Sequence, residues 1–237
     1  ERITIPVGAS LGMTATIEQT VDNVTRHVEQ GYQRVKLKIE PGWDIDLLAA
    51  VRAVHPDIEL TVDANSAYTL DMTDALHRID GFGLHYIEQP LHWDDMVDHA
   101  ALALMLQTPI CLDETLTSPA RVKAALDLQA CSVVNLKVGR VGGLQATRDI
   151  HDMCVARDVP MWCGGMLETG IGRAHNIHLA TMPGFVYPGD TASASRTYAR
   201  DITEQQLEAT NGWMPVPEGP GIGVTLDRAF LDEVTEQ

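Results

Sequence analysis

The sequence lacks most of the features that would assign it to a class at a glance. Its four cysteines, Cys111, Cys131, Cys154 and Cys163, form no CxxC pair and lie far apart; free, mostly buried thiols of a reducing compartment are expected. No apolar run exceeds residues 100–106, far too short to span a bilayer. Basic residues are scarce, with 17 Lys and Arg against 33 Asp and Glu, a net charge of −16. The acids are spread along the chain, and such a surface repels phosphate backbones and anionic lipid, so neither a nucleic acid nor a membrane is expected as a partner. No GxGxxG opens a helix after the first strand and no GxxxxGK[ST] occurs, which removes the main support for nucleotide binding. What remains is an ordinary globular composition, 45% hydrophobic and 21% charged over 237 residues. That length suits one or two domains, or a single α/β barrel.

Short apolar runs alternate with longer amphipathic stretches. Strands are predicted at residues 3–7, 34–39, 59–62, 84–88, 109–113, 132–138, 160–163 and, weakly, 185–187. Helix-period segments fall at 17–29, 45–54, 70–79, 93–106, 120–128, 144–157 and 173–181. Alternating βα units imply a parallel sheet, and eight of them in about 200 residues fit a closed barrel better than an open sheet. The predicted fold is therefore a TIM-type (β/α)7β barrel, a single domain over 1–237 with the barrel to about 190 and a C-terminal segment from 191.

Lys38, Asp63, Glu88, Asp113 and Lys137 stand at or next to the ends of five consecutive predicted strands, at intervals of 25, 25, 25 and 24 residues. That interval is about one βα unit, so the five occupy equivalent places. Strand alternation points them inward. With Val35, Leu37 and Ile39 facing the helices, Lys36 and Lys38 face the axis; Thr61 and Asp63, then Glu88, Asp113, Asn135 and Lys137 follow, with Asn65 if its strand persists. Barrel enzymes place their chemistry at this C-terminal mouth.

One such residue would be an ordinary strand-end ion pair, but five in register are hard to explain so, because buried charges cost several kcal/mol each. Three carboxylates aimed at one centre raise one another's pKa unless a cation sits among them. Oxygen ligands alone suit a hard divalent ion, Mg²⁺ above all, with Mn²⁺ or Co²⁺ as alternatives. Lysines on both flanks suit removal of a proton next to the carboxylate of a small-molecule substrate. The ion would stabilise the enediolate, and repulsion between Lys36 and Lys38 would hold one of them neutral near pH 7.

The runs VKLKIEPGWD, TVDANSAYTL, YIEQPL, CLDET, NLKVGRVGGL and WCGGMLETGIGRAHN resemble the barrel of the enolase superfamily, and within its muconate-lactonising branch the o-succinylbenzoate synthase/N-acylamino acid racemase group. The likeness runs over residues 6–226. It implies Lys38 as acid/base on one face and Lys137 on the other, Lys36 as support for Lys38, and Asp63, Glu88 and Asp113 as metal ligands. It also implies dehydration to 2-succinylbenzoate in menaquinone synthesis, or racemisation of N-acylated (N-succinylated) amino acids, in a cytoplasmic homo-oligomer. Members carry an N-terminal capping domain over the mouth; this chain opens on Glu1 at the first predicted strand, so the cap is expected to be missing and the chain to be the barrel of a longer protein.

Ser10, Asn65, Gly164, Gly165, Met166 and Asp190 are the candidates for substrate contact. The glycine pair permits close backbone approach and Met166 offers adaptable apolar surface. His175 and His178 share helical spacing but no carboxylate motif, so surface or supporting roles are expected. The rival readings are a cycloisomerase or dipeptide epimerase of the same branch, or a catalytically silent metal-binding barrel. A dipeptide epimerase would need a DxD on the last strand, where the stretch 187–192 offers only Asp190.

Overall fold

The computed structural model describes residues 2–235. The sequence of elements is β1 (Thr4–Pro6), β2 (Gly8–Leu11), α1 (Ile17–Glu29), β3 (Arg34–Lys38), α2 (Ile45–Val54), β4 (Leu60–Asp63), α3 (Thr73–Asp80), β5 (Ile87–Glu88), α4 (Met96–Ala103), β6 (Ile110–Leu112), α5 (Pro119–Asp127), β7 (Val133–Leu136), α6 (Val138–Val141), α7 (Leu144–Val155), β8 (Met161–Cys163), α8 (Gly170–Ala180), β9 (Trp213–Pro215) and α9 (Arg228–Thr235). Strands β2 to β8 pair in parallel in chain order, forming one curled seven-stranded sheet. Helix starts carry their own signals. Thr16, Asp44, Asp95 and Ser118 each accept a backbone N–H in the first turn, and Pro119 follows Ser118 where its missing donor costs nothing.

Closure of the barrel differs from the expected pattern at both ends. The first predicted strand, residues 3–7, is not a stave: β1 pairs antiparallel with β9 in a separate two-stranded sheet, and the first stave is β2, a few residues later. Gly-Ala-Ser-Leu is too short and small to stand out as an apolar run, whereas Ile3–Val7 does. The weak eighth strand is bound on both sides without regular ladder geometry. Met161 N donates to Gly184 O (3.0 Å) and Asp190 N to Cys163 O (2.9 Å) on one side; Gly8 N donates to Gly189 O (2.8 Å) on the other. Two isolated parallel bridges, Met161 with Phe185 and Val7 with Gly189, complete the ring. The fold is thus the expected barrel, its last stave held by single bonds.

Two layers fill the space around the staves. Outward residues such as Val35, Leu37, Val62, Leu112, Val134 and Leu136 pack with the helices in the main core. Inside the ring, Tyr86, Cys111, Val133 and Trp162 form a separate apolar cluster, with Tyr86 and Trp162 stacked at 5.9 Å. This plug is the floor on which the polar layer above rests. At the opposite end, the irregular stretch after β9 packs against the barrel bottom, Val216 N donating to Ile3 O and Ile222 O lying 3.2 Å from His178 Nε2.

All four cysteines are free and buried. Burial pushes the thiols of Cys131 and Cys154 up to about 12, and Cys111 and Cys163 rise for the same reason. Because the thiolate is the reactive form, the folded protein is expected to give no reaction with a chromogenic disulfide at pH 8 over the time in which the unfolded chain titrates all four.

Candidate active site at the barrel mouth

Register brings the predicted residues together. Lys36 pairs with Thr61, Lys38 with Asp63, and Asp63 in turn with Glu88. Glu88 pairs with Cys111, so Asp113 stands one pleat higher, just past the end of β6. Lys137 follows β7 directly and caps the short α6. The inward row on β3 has three cations rather than two: Arg34, Lys36 and Lys38 alternate, and Arg34 is buried. The same alternation that exposes Lys36 identifies Arg34, one step further down.

The charges are paired in two groups. Lys36 Nζ lies 2.8 Å from Glu88 Oε2, 3.0 Å from Asp190 Oδ2 and 3.5 Å from Asp63 Oδ2. Arg34 Nη2 holds the other oxygen of Asp190 at 2.5 Å, and Asn135 Nδ2 donates to Glu88 Oε1 at 2.8 Å. Both cations sit over the Trp162 ring, Lys36 at 4.6 Å and Arg34 at 5.0 Å from its centroid, where the ring face favours positive charge. Across the mouth, Asp113 accepts from Lys137 Nζ at 2.8 Å and from Arg140 on α6. Lys38 donates to Asp63 Oδ2 at 2.6 Å and to Asn65 Oδ1.

Burial distinguishes the two neighbouring lysines. The Lys36 side chain is 4% exposed and that of Lys38 31%; Lys38 is the amine that opens on the mouth. Burial alone would lower Lys36, but Asp190, Glu88 and Asp63 outweigh it and hold its amine well above the ordinary lysine range. The expected repulsion with Lys38 therefore does not neutralise Lys36, because three carboxylates surround it. Lys36 and Arg34 in turn hold Asp190 well below the usual carboxylate range in spite of its burial.

Among the described residues, no three Asp, Glu, His or Cys side chains stand as a ready-made metal cage. Asp63 and Glu88 close around Lys36, and Asp113 around Lys137 and Arg140. The donor set nevertheless fits a hard cation. Burial pushes Glu88 up to about 8; Lys36 pulls it back, while Asp63, Asp113 and Asp190 push it further. Three buried carboxylates on adjacent strands thus act on one another's charge, and all their donors are oxygen.

The remaining predicted residues lie around this layer. Ser10 is inside β2, in register with Lys36, and with Gly165 and Asp190 it lines a cleft of about 270 Å³. Gly164 packs so closely that a Cβ there would stand 2.5 Å from Lys137 Cε, and one at Gly165 would meet Asp190 O at the same distance. Met166 is on the rim, 54% exposed; its neighbour Leu167 lines the cleft instead. Sequence reasoning missed Arg140, Arg196 and Gln89. Arg196 lines the cleft. Buried Gln89 accepts at Oε1 from Asp113 N (3.1 Å) and Thr115 N (3.2 Å), fixing the loop beyond β6. Gln89 lies just past its strand, and Arg140 and Arg196 sit in single short helical turns, so no periodic pattern marks any of the three.

The profile of the enolase C-terminal domain-like family matches residues 19–230. The chain belongs to that family. Its members, the enolase superfamily, generally use a divalent metal ion. The chain is 50% identical over 98% of its length to o-succinylbenzoate synthase of Geobacillus kaustophilus, and 52% identical over 99% to N-succinylamino acid racemase of Thermus thermophilus. It spans 62% and 63% of those two proteins. An enolase superfamily member from Listeria innocua, 43% identical, superimposes with a TM-score of 0.95 over 98% of this chain and 63% of its own. No helix among the described residues is long and apolar enough to cross a membrane.

Glu88 makes the pH dependence of stability testable. A carboxyl raised from 4.5 to about 8 on folding keeps its proton in the native state while the unfolded chain has lost it. Its contribution therefore falls as pH rises across that window. Measured by urea unfolding in metal-free buffer, the parent protein is expected to lose stability relative to Glu88→Gln between about pH 4.5 and 8, by on the order of a few kcal/mol, and to hold level above.

Proposed function

We propose that this protein removes a proton α to a carboxylate in a metal-dependent reaction, as an o-succinylbenzoate synthase, an N-succinylamino acid racemase, or both. The observation that carries this is the pair of amines, Lys38 and Lys137, on either side of the arc formed by Asp63, Glu88 and Asp113. Relatives bearing the two names match almost equally, at 50% and 52% identity, and both reactions begin with the same proton transfer.

Asp63, Glu88 and Asp113 would hold the ion, with Mg²⁺ the best match to three carboxylates and Mn²⁺ or Co²⁺ able to use the same oxygens. A divalent cation there supplies positive charge against the substrate carboxylate and the anion that forms when its α-proton leaves. Lys38 takes that proton at Nζ. Lys137 approaches from the opposite face. In racemisation it returns a proton at Nζ; in dehydration it remains a cation beside the anion while the hydroxyl leaves as water, carrying the proton that Lys38 took. Lys36, held charged by Asp190 and Glu88, adds a fixed positive charge beneath. The apolar floor of Trp162 and Tyr86 excludes water from below. Ser10, Gly165 and Asp190 open on the cleft that would take the rest of the substrate, and Arg196 lines it too.

A dipeptide epimerase fits less well. The L-Ala-D/L-Glu epimerase of Bacillus subtilis is 25% identical, and an α-ammonium would need a free carboxylate on the last stave. Asp190 is already engaged by Arg34 and Lys36.

The test is exchange of the Cα proton of each enantiomer of N-succinylphenylalanine in D₂O with Mg²⁺, followed by NMR. Lys38→Ala and Lys137→Ala are each expected to slow exchange of a different enantiomer by roughly 10²- to 10⁴-fold and to abolish racemisation. Absence of exchange for both enantiomers, in this chain and in a version extended to the length of its relatives, would overturn the reading.

A further inference from the structure

Lys38 has two acceptors, Asp63 and Asn65. Asp63 is shared, since Lys36 Nζ also stands 3.5 Å from it, and a bound cation would claim it. Asn65 is then the group left to aim the Lys38 amine. An amide can present either its oxygen or its NH₂, and only the oxygen attracts an ammonium. What decides the orientation is Glu114. Asn65 Nδ2 donates to Glu114 Oε1 at 2.8 Å, and a carboxylate accepts but does not donate, so the NH₂ is drawn to Glu114 and the carbonyl oxygen to Lys38.

Both loops that carry this chain of bonds are pinned by one buried residue. Gln89 accepts from Ser66 N at its backbone oxygen (2.8 Å), beside Asn65, and its side-chain oxygen accepts from Asp113 N and Thr115 N, on either side of Glu114. Asn65 and Ser66 adopt φ of 41° and 66°, a left-handed bend that turns the chain beyond β4 toward Glu114. Among the described residues the Glu114 carboxylate has no other hydrogen-bond partner: Oε2 is buried without one. Among the described residues, the one side-chain hydrogen bond of Glu114 goes to Asn65.

We propose that Glu114 is a positioning residue for the acid/base Lys38, acting through the amide of Asn65. The role of Lys38 rests on the proposed function above; the bond chain does not. Two measurements separate them. In the first, reductive methylation of surface amines with formaldehyde and borohydride is quantified by peptide mass spectrometry. Glu114→Ala is expected to raise methylation of Lys38 at least threefold, leaving Lys137 unchanged, and Glu114→Gln, whose carbonyl can still accept from Asn65, to restore most of the protection. In the second, Cα–H exchange is followed for each enantiomer with Mg²⁺. Glu114→Ala is expected to slow the enantiomer that depends on Lys38 by about 10- to 100-fold, with the Lys137-dependent enantiomer within twofold of the parent and Glu114→Gln in between. Unchanged Lys38 methylation in Glu114→Ala, or equal slowing of both enantiomers, overturns the proposal. If the parent protein exchanges neither enantiomer, the proposed function is what fails, and the methylation ratios alone decide for or against the positioning of Lys38.

Discussion

The constraint on which the site depends is the cost of keeping like charges out of water. Lys36 is an ammonium inside a barrel, and it persists there because Glu88, Asp190 and Asp63 surround it and the Trp162 ring lies beneath. Without these carboxylates a buried charge would be left uncompensated, a penalty of several kcal/mol per ion even after relaxation. The carboxylates are in the same position from the other side: Glu88 is fully buried and, among the described residues, accepts from Lys36 and Asn135. The mouth is therefore a network that neither sign could occupy alone, and its members hold one another in place before any ligand arrives.

This arrangement explains how a scaffold of short strands can be exact about chemistry. Strand β5 has two residues and β6 three, yet each ends on or beside a carboxylate. The barrel register lifts Asp113 one pleat above Glu88, and the outward apolar residues lock that register by packing against the helices. Above the strands, loop residues take over. Gln89 ties the ends of β4 and β6 together, while α6 brings Arg140 to Asp113 from beyond β7. Rigid staves set the height of each group and the loops set its direction.

Much of this was legible beforehand because it is periodic. The recurrence of Lys38, Asp63, Glu88, Asp113 and Lys137 at about one βα unit identifies both the barrel and its mouth, and two-residue alternation gives the inward face. Helices α1 and α2 fall on the predicted residues, since each is bounded by a cap and a turn. The failures share a cause. Residues 3–7 carry a stronger apolar signal than β2, yet they pair with β9, whose position some two hundred residues later no local pattern reveals. Repulsion between Lys36 and Lys38 is expected to hold one of them neutral, but Asp190, on the last stave, reaches Lys36 because the barrel closes.

The amino-acid sequence by itself determined the fold class, the acidic character of the surface, and which ionisable residues stand at the strand ends, because these follow from composition, period and spacing along the chain. The tertiary structure decided which charge meets which: Arg34 with Asp190, Lys36 with three carboxylates, Asn65 between Lys38 and Glu114. Ring closure sets those pairings. The bond from Arg34 to Asp190, 156 positions further along the chain, exists only once the eighth stave has come round to the first, and no local interaction encodes that distance.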